Sequence, residues 1–494
     1  MYQRHTTQIS MFDSPELFGT IPLNPKNEWV RLSKLVPWME FEARYEENFK
    51  SKTGQPACSA RMVLGSLLIK ERYRFSDEDI VAEITMNPYL QYFIGLHEFQ
   101  YETPFDPSML TRFRQRITPE MLDWVNDRII GRPESNDNDT PADGSGGGVA
   151  VNKGTIILDA TCAPQNIRFP TDASLLNEAR ENAEEIVDIL HENSYTDGKK
   201  PRTYRVLARN AYNGFSKNRK KTHKSIRNMI RKQLGYLRRD LAAIREIEEK
   251  HPGCLEKALP KRKMERLLVL RTLYEQQNAM YQTHTHRVDN RIVSLHQPWV
   301  RPIVRGKQNA DVEFGSKVEM SVVDGFLRVE DMRWDAFNES TTLKTSVESF
   351  RKAYGHYPER VLADTIFRTR ENLRYCREHG IHLSGPKLGK PPADAAEYRR
   401  QLKQEWLESG ERGEIERDFG VGKRRYSLGC IMTKLKHTSE VAVRLVVLTM
   451  NLQKRLRLLF AHFSAVRLWE KIHHFLTAQL GPCCPFGCLL PLCS

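Results

Sequence analysis

No stretch of the 494-residue chain reaches eighteen consecutive apolar residues, the least that a membrane-spanning helix requires. The nearest approach, VAVRLVVLTMNL from position 441, is short and carries Arg444 inside it. The opening MYQRHTTQISMFD lacks the apolar centre of a secretion signal. A cytoplasmic protein with no membrane partner is therefore expected. Paired cysteines are missing as well. Nine is an odd number, and Cys58, Cys162, Cys254, Cys376 and Cys430 stand isolated as small hydrophobes rather than as a disulfide framework. The four in the tail, Cys483, Cys484, Cys488 and Cys493, match no standard pair of zinc-binding Cys-x2-Cys units. No internal repeat is present.

Acid is absent from one long segment. Between Lys199 and Arg239 there are fifteen Lys and Arg and no Asp or Glu. That segment carries +15 of a net +14, which leaves the rest of the chain at −1 (14 − 15). A solvated helix face ordinarily mixes both signs, so a run of one sign points either to a solvated arm or to a polyanionic partner. Its aromatics, Tyr204, Tyr212, Phe215 and Tyr236, are scattered and form no single apolar stripe, which suits nucleic acid better than a membrane surface.

What is present is a globular composition, 40% hydrophobic and 28% charged, in a chain long enough for two or three domains. The first 131 residues read as helical. RMVLGSLLIKERY and SDEDIVAEITMN form two helices joined by a short turn, the second opened by Ser76 and Asp79 in a capping-box pattern. A helix-turn-helix has this spacing, as does ordinary scaffold. PFDPSMLTRFRQRI follows as an amphipathic helix with Arg112, Arg114 and Arg116. Residues 132–150, rich in Pro, Asn, Asp, Ser and Gly, read as a flexible linker. Beyond it KGTIILDATCA reads as a buried strand, and residues 175–285 as a helical insertion containing the basic segment. VEFGSKVEMSVVDGFLRVEDMRW reads as a hairpin turning at Asp324-Gly325, and RVLAD to IHLSG as a β-α-β unit. The fold class is α/β: a helical N-terminal domain, then a mixed-sheet domain over 151–450 with a helical basic insertion, and a C-terminal helix and Cys-rich tail over 451–494.

Three carboxylates stand out. Asp159 ends the apolar run IILD, and Asp364 ends VLAD. Each alone is an ordinary turn former or helix cap. Both at one sheet edge would be more informative, because catalytic groups in open sheets gather at strand carboxyl ends. Glu416 lies in RGEIERDFGVGK, where Arg412, Glu416 and Lys423 share one face of a helix. That pattern serves a surface ion pair, or a metal-binding carboxylate flanked by phosphate-binding cations. Gly413, Gly420 and Gly422 weaken the expectation of a helix here.

The chain resembles bacterial insertion-sequence transposases of the DDE class, which have an RNase H-like catalytic domain. ARMVLGSLLIKE, NPYLQYFIGL and PFDPSMLTRFR are similar to the helical N-terminal domain of that group. TIILDATCAPQNIRFPTDASLLNEAR is similar to the segment of the first Asp, DMRWDAFNES with YPERVLADTIFRTRENLRYCREHGIHLSGPKLG to that of the second, and IERDFGVGKRRYSLG to that of the Glu. The resemblance implies a metal-binding catalytic triad of Asp159, Asp364 and Glu416 holding two Mg2+ ions, with Mn2+ as a substitute. It further implies DNA-phosphate binding by Arg412 and Lys423 of the signature Tyr-x2-Arg-x3-Glu-x6-Lys. Ser409 stands at the Tyr position, and Arg417 where a Gly often follows the Glu. The implied activity is hydrolysis of a strand at the element's end and transfer of the freed 3′-hydroxyl to target DNA. The implied partners are double-stranded DNA (terminal inverted repeats and target) and at least a second copy of the chain, in the bacterial cytoplasm at the nucleoid. The alternatives are an inactive DNA-binding remnant of such an element and a nuclease that cuts without joining.

Overall fold

The computed structural model describes residues 21–49, 53–132, 151–196, 198–307, 310–387 and 394–480, with Tyr2, Phe18, Gly19, Gly389 and Pro392. Residues 133–150 of the expected linker and the Cys-rich segment 483–493 lie outside them. No helix among the described residues is long and apolar enough to cross a membrane.

Among the described residues, seven α-helices build the N-terminal part: α1 Glu28–Ser33, α2 Trp38–Glu46, α3 Ala60–Tyr73, α4 Asp77–Met86, α5 Pro88–Phe93, α6 Met109–Arg116 and α7 Pro119–Ile130. Their starts are written locally. The hydroxyl of Ser76 accepts the Asp79 N–H at 3.0 Å above a first turn of three acids, and Thr118 with Pro119 opens α7. The short turn between α3 and α4 forms as expected, with Arg74 left-handed at φ 60°. Of the three arginines of α6 only Arg112 is exposed. Arg114 is turned inward onto Asp77 of α4, and Arg116 lies over the Phe49 ring at 5.2 Å.

The sheet begins with β1 Thr155–Pro164 and resumes with β2 Arg301–Lys307, β3 Ala310–Val323 and β4 Phe326–Arg333. The chain turns from β3 to β4 at Asp324 and Gly325, both at positive φ (51° and 80°), as a two-residue hairpin turn demands. Helix α13 Leu343–Tyr354, strand β5 Arg360–Leu362, helix α14 Arg370–Glu378 and strand β6 His382–Leu383 follow. In space the strands run β2-β3-β1-β5-β6, with β4 also on β3. β1 is antiparallel to β3 and parallel to β5, and β5 is parallel to β6. The chain is thus a mixed α/β protein in which a helical N-terminal part precedes a mixed sheet.

Between β1 and β2 the insertion folds as α8 Asp172–Glu192, α9 Arg205–Lys217, α10 His223–Lys250, α11 Cys254–Ala258 and α12 Lys261–Thr283. It has its own apolar core, including Leu176, Ile186, Leu237, Ile244, Leu255 and Leu270. Of the fifteen cations in the acid-free segment all are exposed but Arg205 and Arg227, which are half-buried. Asp240 is 1% exposed with an unpartnered oxygen. Burial, then the nearby Glu184, push its carboxyl up to about 8. The folded state therefore holds a proton that an unfolded Asp releases near pH 4, so this group costs stability progressively from about pH 4 to 8. Asp240→Asn is expected to raise the urea midpoint at pH 9 and leave it nearly unchanged at pH 4.5.

The last elements are α15 Ala395–Arg425 and α16 Lys436–Leu480. Helix α16 runs through position 450, where the sequence suggests a domain limit. It packs two ways. Val441, Leu445, Leu448, Leu452 and Leu456 complete the core of the N-terminal helices. Ala442, Val443, Val446, Val447 and Met450 join the core under β1, β3 and α15. The edge strand β4 is closed by side chains at the same place. Asn451 Oδ1 accepts the Leu327 N–H at 3.0 Å, and its Nδ2 donates to the Leu327 carbonyl and to Asn126 Oδ1, both at 2.7 Å. Asn126 Nδ2 donates to the same carbonyl at 3.1 Å.

Candidate active site

Strands β1 and β5 pair in parallel over Ile156↔Val361 and Ile157↔Leu362. Extended two residues past the end of β5, that register would set Asp159 opposite Asp364. The faces also agree. Ile157 and Leu362 pack with Ile415 and Phe419 of α15, whereas Ile156, Leu158, Val361 and Ala363 pack on the other side with Leu343 and Val347 of α13. Strand alternation then gives Asp159 to the α15 face, where Arg412 meets it. β5 ends at Leu362, but β1 continues five residues past Asp159, paired with β3 as far as Pro164↔Gly315. Asp159 is accordingly in mid-strand rather than at a strand end, at the notch where its parallel neighbour stops.

Helix α15 crosses that notch without a break, so Gly413, Gly420 and Gly422 do not interrupt it. Gly422 is where the fit is tightest against other elements: a Cβ there would lie 3.0 Å from the Leu428 side chain and 3.3 Å from that of Met450, which would have to give by a few tenths of an ångström. Two polar side-chain contacts clamp the helix to the strands. Arg360 of β5 grips Glu411 at 3.0 and 3.4 Å, and His382 of β6 meets the buried Glu408 at 2.7 Å. Glu408, then Glu411 and Arg412, then Ile415 and Phe419 meet the sheet at steps of three or four residues.

This crossing brings Glu416 and Arg412 to Asp159. Arg412 Nη2 is 2.9 Å from Glu416 Oε1, and Nη1 is 3.6 Å from Asp159 Oδ2. The Ala160 N–H donates to Asp159 Oδ1 at 2.8 Å. Burial nevertheless pushes the Asp159 carboxyl up to about 6, with Glu339 and Glu416 acting in the same sense and the Ala160 N–H and Arg412 against it. Asp364 is exposed and caps the short 3-10 turn Thr365–Phe367, accepting from the Thr365 N–H at 2.6 Å and its hydroxyl at 3.3 Å. Lys423 lies 3.9 Å from Glu313 of β3.

Of the sequence-selected residues, Asp159, Arg412 and Glu416 are linked by ion pairs, Asp364 caps the turn two residues past the end of β5, and Lys423 lies about two turns beyond Glu416, on Glu313. Among the described residues, no three acids, histidines or cysteines converge closely enough to hold a metal ion. The donor set is nonetheless all carboxylate oxygen, the hard-ligand chemistry suited to Mg2+ or Mn2+ rather than to zinc, and Asp159 and Glu416 already share one cation. Sequence reasoning missed Glu339, which acts on Asp159 from the turn Glu339–Thr341 and is paired with Lys317 at 2.8 Å. It also missed the clamps Arg360–Glu411 and His382–Glu408. The three- and four-residue spacing of Glu408, Glu411 and Ile415 was the available signal.

Two family models match the chain: one for a transposase DDE domain over residues 361–453, which includes Asp364, Arg412, Glu416 and Lys423, and a Transposase domain (DUF772) over residues 19–116. The chain is 30% identical over 165 residues to "Uncharacterized protein ORF8 in nfe locus" of Rhizobium meliloti, a match that covers 32% of this chain and 71% of that protein. No solved structure matches significantly.

Proposed function

The chain belongs to the family of DDE-domain transposases, and from that premise we propose that it binds the ends of an insertion sequence and catalyses metal-dependent strand cleavage and strand transfer, on an RNase H-like sheet. The observation that carries this reading is the crossing of α15 over β1 and β5, which joins Glu416 to Asp159 through Arg412, with Asp364 two residues past the end of β5, the parallel neighbour of β1. In this reading Asp159, Asp364 and Glu416 hold two Mg2+ ions, or Mn2+ in their place. When bound, the ions would lower the pKa of an attacking water or 3′-hydroxyl and offset charge on the leaving oxygen.

The rest of the work falls to the chain's own side chains. Arg412 and Lys423 hold backbone phosphates, fixing the scissile strand against the carboxylates. The exposed cations of α9 and α10, with the N-terminal helices, take the duplex of the inverted repeats, a contact whose affinity falls steeply with salt as counterions are released. Joining two ends requires at least two copies of the chain.

The test is cleavage of a DNA carrying the element's own ends, in Mg2+, by wild type and by Glu416→Gln. Specific nicking by wild type alone, followed by a strand-transfer product, is expected. Nicking without transfer would make it a nuclease. Binding by both proteins with cutting by neither would make the chain a DNA-binding remnant.

A further inference from the structure

One guanidinium stands between two carboxylates that the proposed reaction reserves for a divalent cation. Arg412 reaches Glu416 at 2.9 Å and Asp159 at 3.6 Å, with its own side chain only 23% exposed. It belongs to the same helix as Glu416, so its departure requires a change of rotamer and no movement of backbone. Asp364 is outside this arrangement, held by its bonds from Thr365. The acids are therefore divided between an arginine and a turn, which accounts for the lack, among the described residues, of three acids gathered for a metal ion.

We propose that Arg412 is a positioning residue that serves as an internal counter-cation: it holds Asp159 and Glu416 together in the metal-free protein, competes with the divalent ion for them, and swings toward the DNA phosphates once the ion enters. The inference rests on the reading of this site as a divalent-ion centre. It differs in sign from a role in phosphate contact alone. Loss of a phosphate contact leaves the ion affinity of the DNA-free protein unchanged, whereas loss of a competitor raises it. Because the pair is partly solvated, the gain is modest, roughly three- to tenfold.

The experiment titrates full-length, DNA-free wild type and Arg412→Gln with Mn2+, following free Mn2+ by its paramagnetic resonance signal. Tighter binding by Arg412→Gln is the expected result. A second measurement needs no variant: modification of Arg412 in wild type by phenylglyoxal, read by peptide mass spectrometry, is expected to speed up when Mn2+ is added. Equal or weaker Mn2+ binding by the variant, or unchanged modification of Arg412, would overturn the counter-cation role alone. Binding of no Mn2+ by either protein would overturn the divalent-ion centre and this role with it.

Discussion

Asp159→Asn is expected to slow strand cleavage by about a thousandfold and, at the same time, to make the protein more stable. The activity loss follows from the proposed use of the carboxylate as an ion ligand. A neutral amide offers the same shape without the charge, and losing ion-based stabilisation of several kcal/mol lowers the rate by about a thousandfold. The gain in stability follows from the position of Asp159 in mid-strand under α15. Burial holds its carboxyl at about 6, above the unfolded value near 3.9. The folded chain therefore binds this proton more tightly than the unfolded chain, and the stability it contributes is complete below about pH 4 and lost as pH rises through 6. Asn does not titrate, and its amide oxygen can still accept the Ala160 N–H. The variant should therefore gain on the order of 1–3 kcal/mol over wild type at pH 8 and little at pH 4. Urea unfolding at both pH values checks it. An unchanged midpoint at pH 8 would mean that Asp159 is solvated better than its 16% side-chain exposure indicates.

The second large effect is expected far from the site. Asn451→Ala removes one residue that serves three partners: the Leu327 N–H, the Leu327 carbonyl and Asn126 Oδ1. The carbonyl keeps its bond from Asn126. The Leu327 N–H and Asn126 Oδ1 lose these partners in a buried place, at about 1–3 kcal/mol each, and the shortened side chain adds a small void. A total of about 3–5 kcal/mol is expected from these two causes. Hydrogen exchange at Leu327 should quicken along with the fall in the denaturant midpoint. A change below about 1 kcal/mol would show that water replaces the amide and that β4 does not depend on α16 for its outer edge.

Much of this architecture is legible in the chain because its signals are local. The apolar runs before Asp159 and Asp364, the Asp324-Gly325 turn, the cap at Ser76 and the Arg412–Glu416 spacing each depend on a few neighbouring residues. What is not legible depends on partners distant in sequence. The continuation of β1 through Thr161 and Cys162 rests on β3, some 155 residues away in the register Thr161↔Val318 to Cys162↔Lys317 (318 − 161 = 157, 317 − 162 = 155). The inward turn of Arg114 rests on Asp77. The segment VAVRLVVLTMNL gives no clear helical stripe, because two cores take alternate faces of it: Val441, Leu445 and Leu448 on one side, Val443, Val446 and Val447 on the other. Arg444 sits in this apolar run because Asp123 of α7 meets it at 2.9 Å.

That two-sided helix has a consequence in time. The ribosome finishes α7 at Ile130, but the N-terminal core takes five side chains from Val441 onward. The gap is 311 residues (441 − 130). At roughly 5–20 residues per second, the first helices wait about 15–60 s with the core they share with α16 incomplete. The earliest part of the chain to be made is among the last to be sealed. During that interval the nascent chain presents a surface that chaperones recognise, and a message broken before codon 441 yields helices that cannot close.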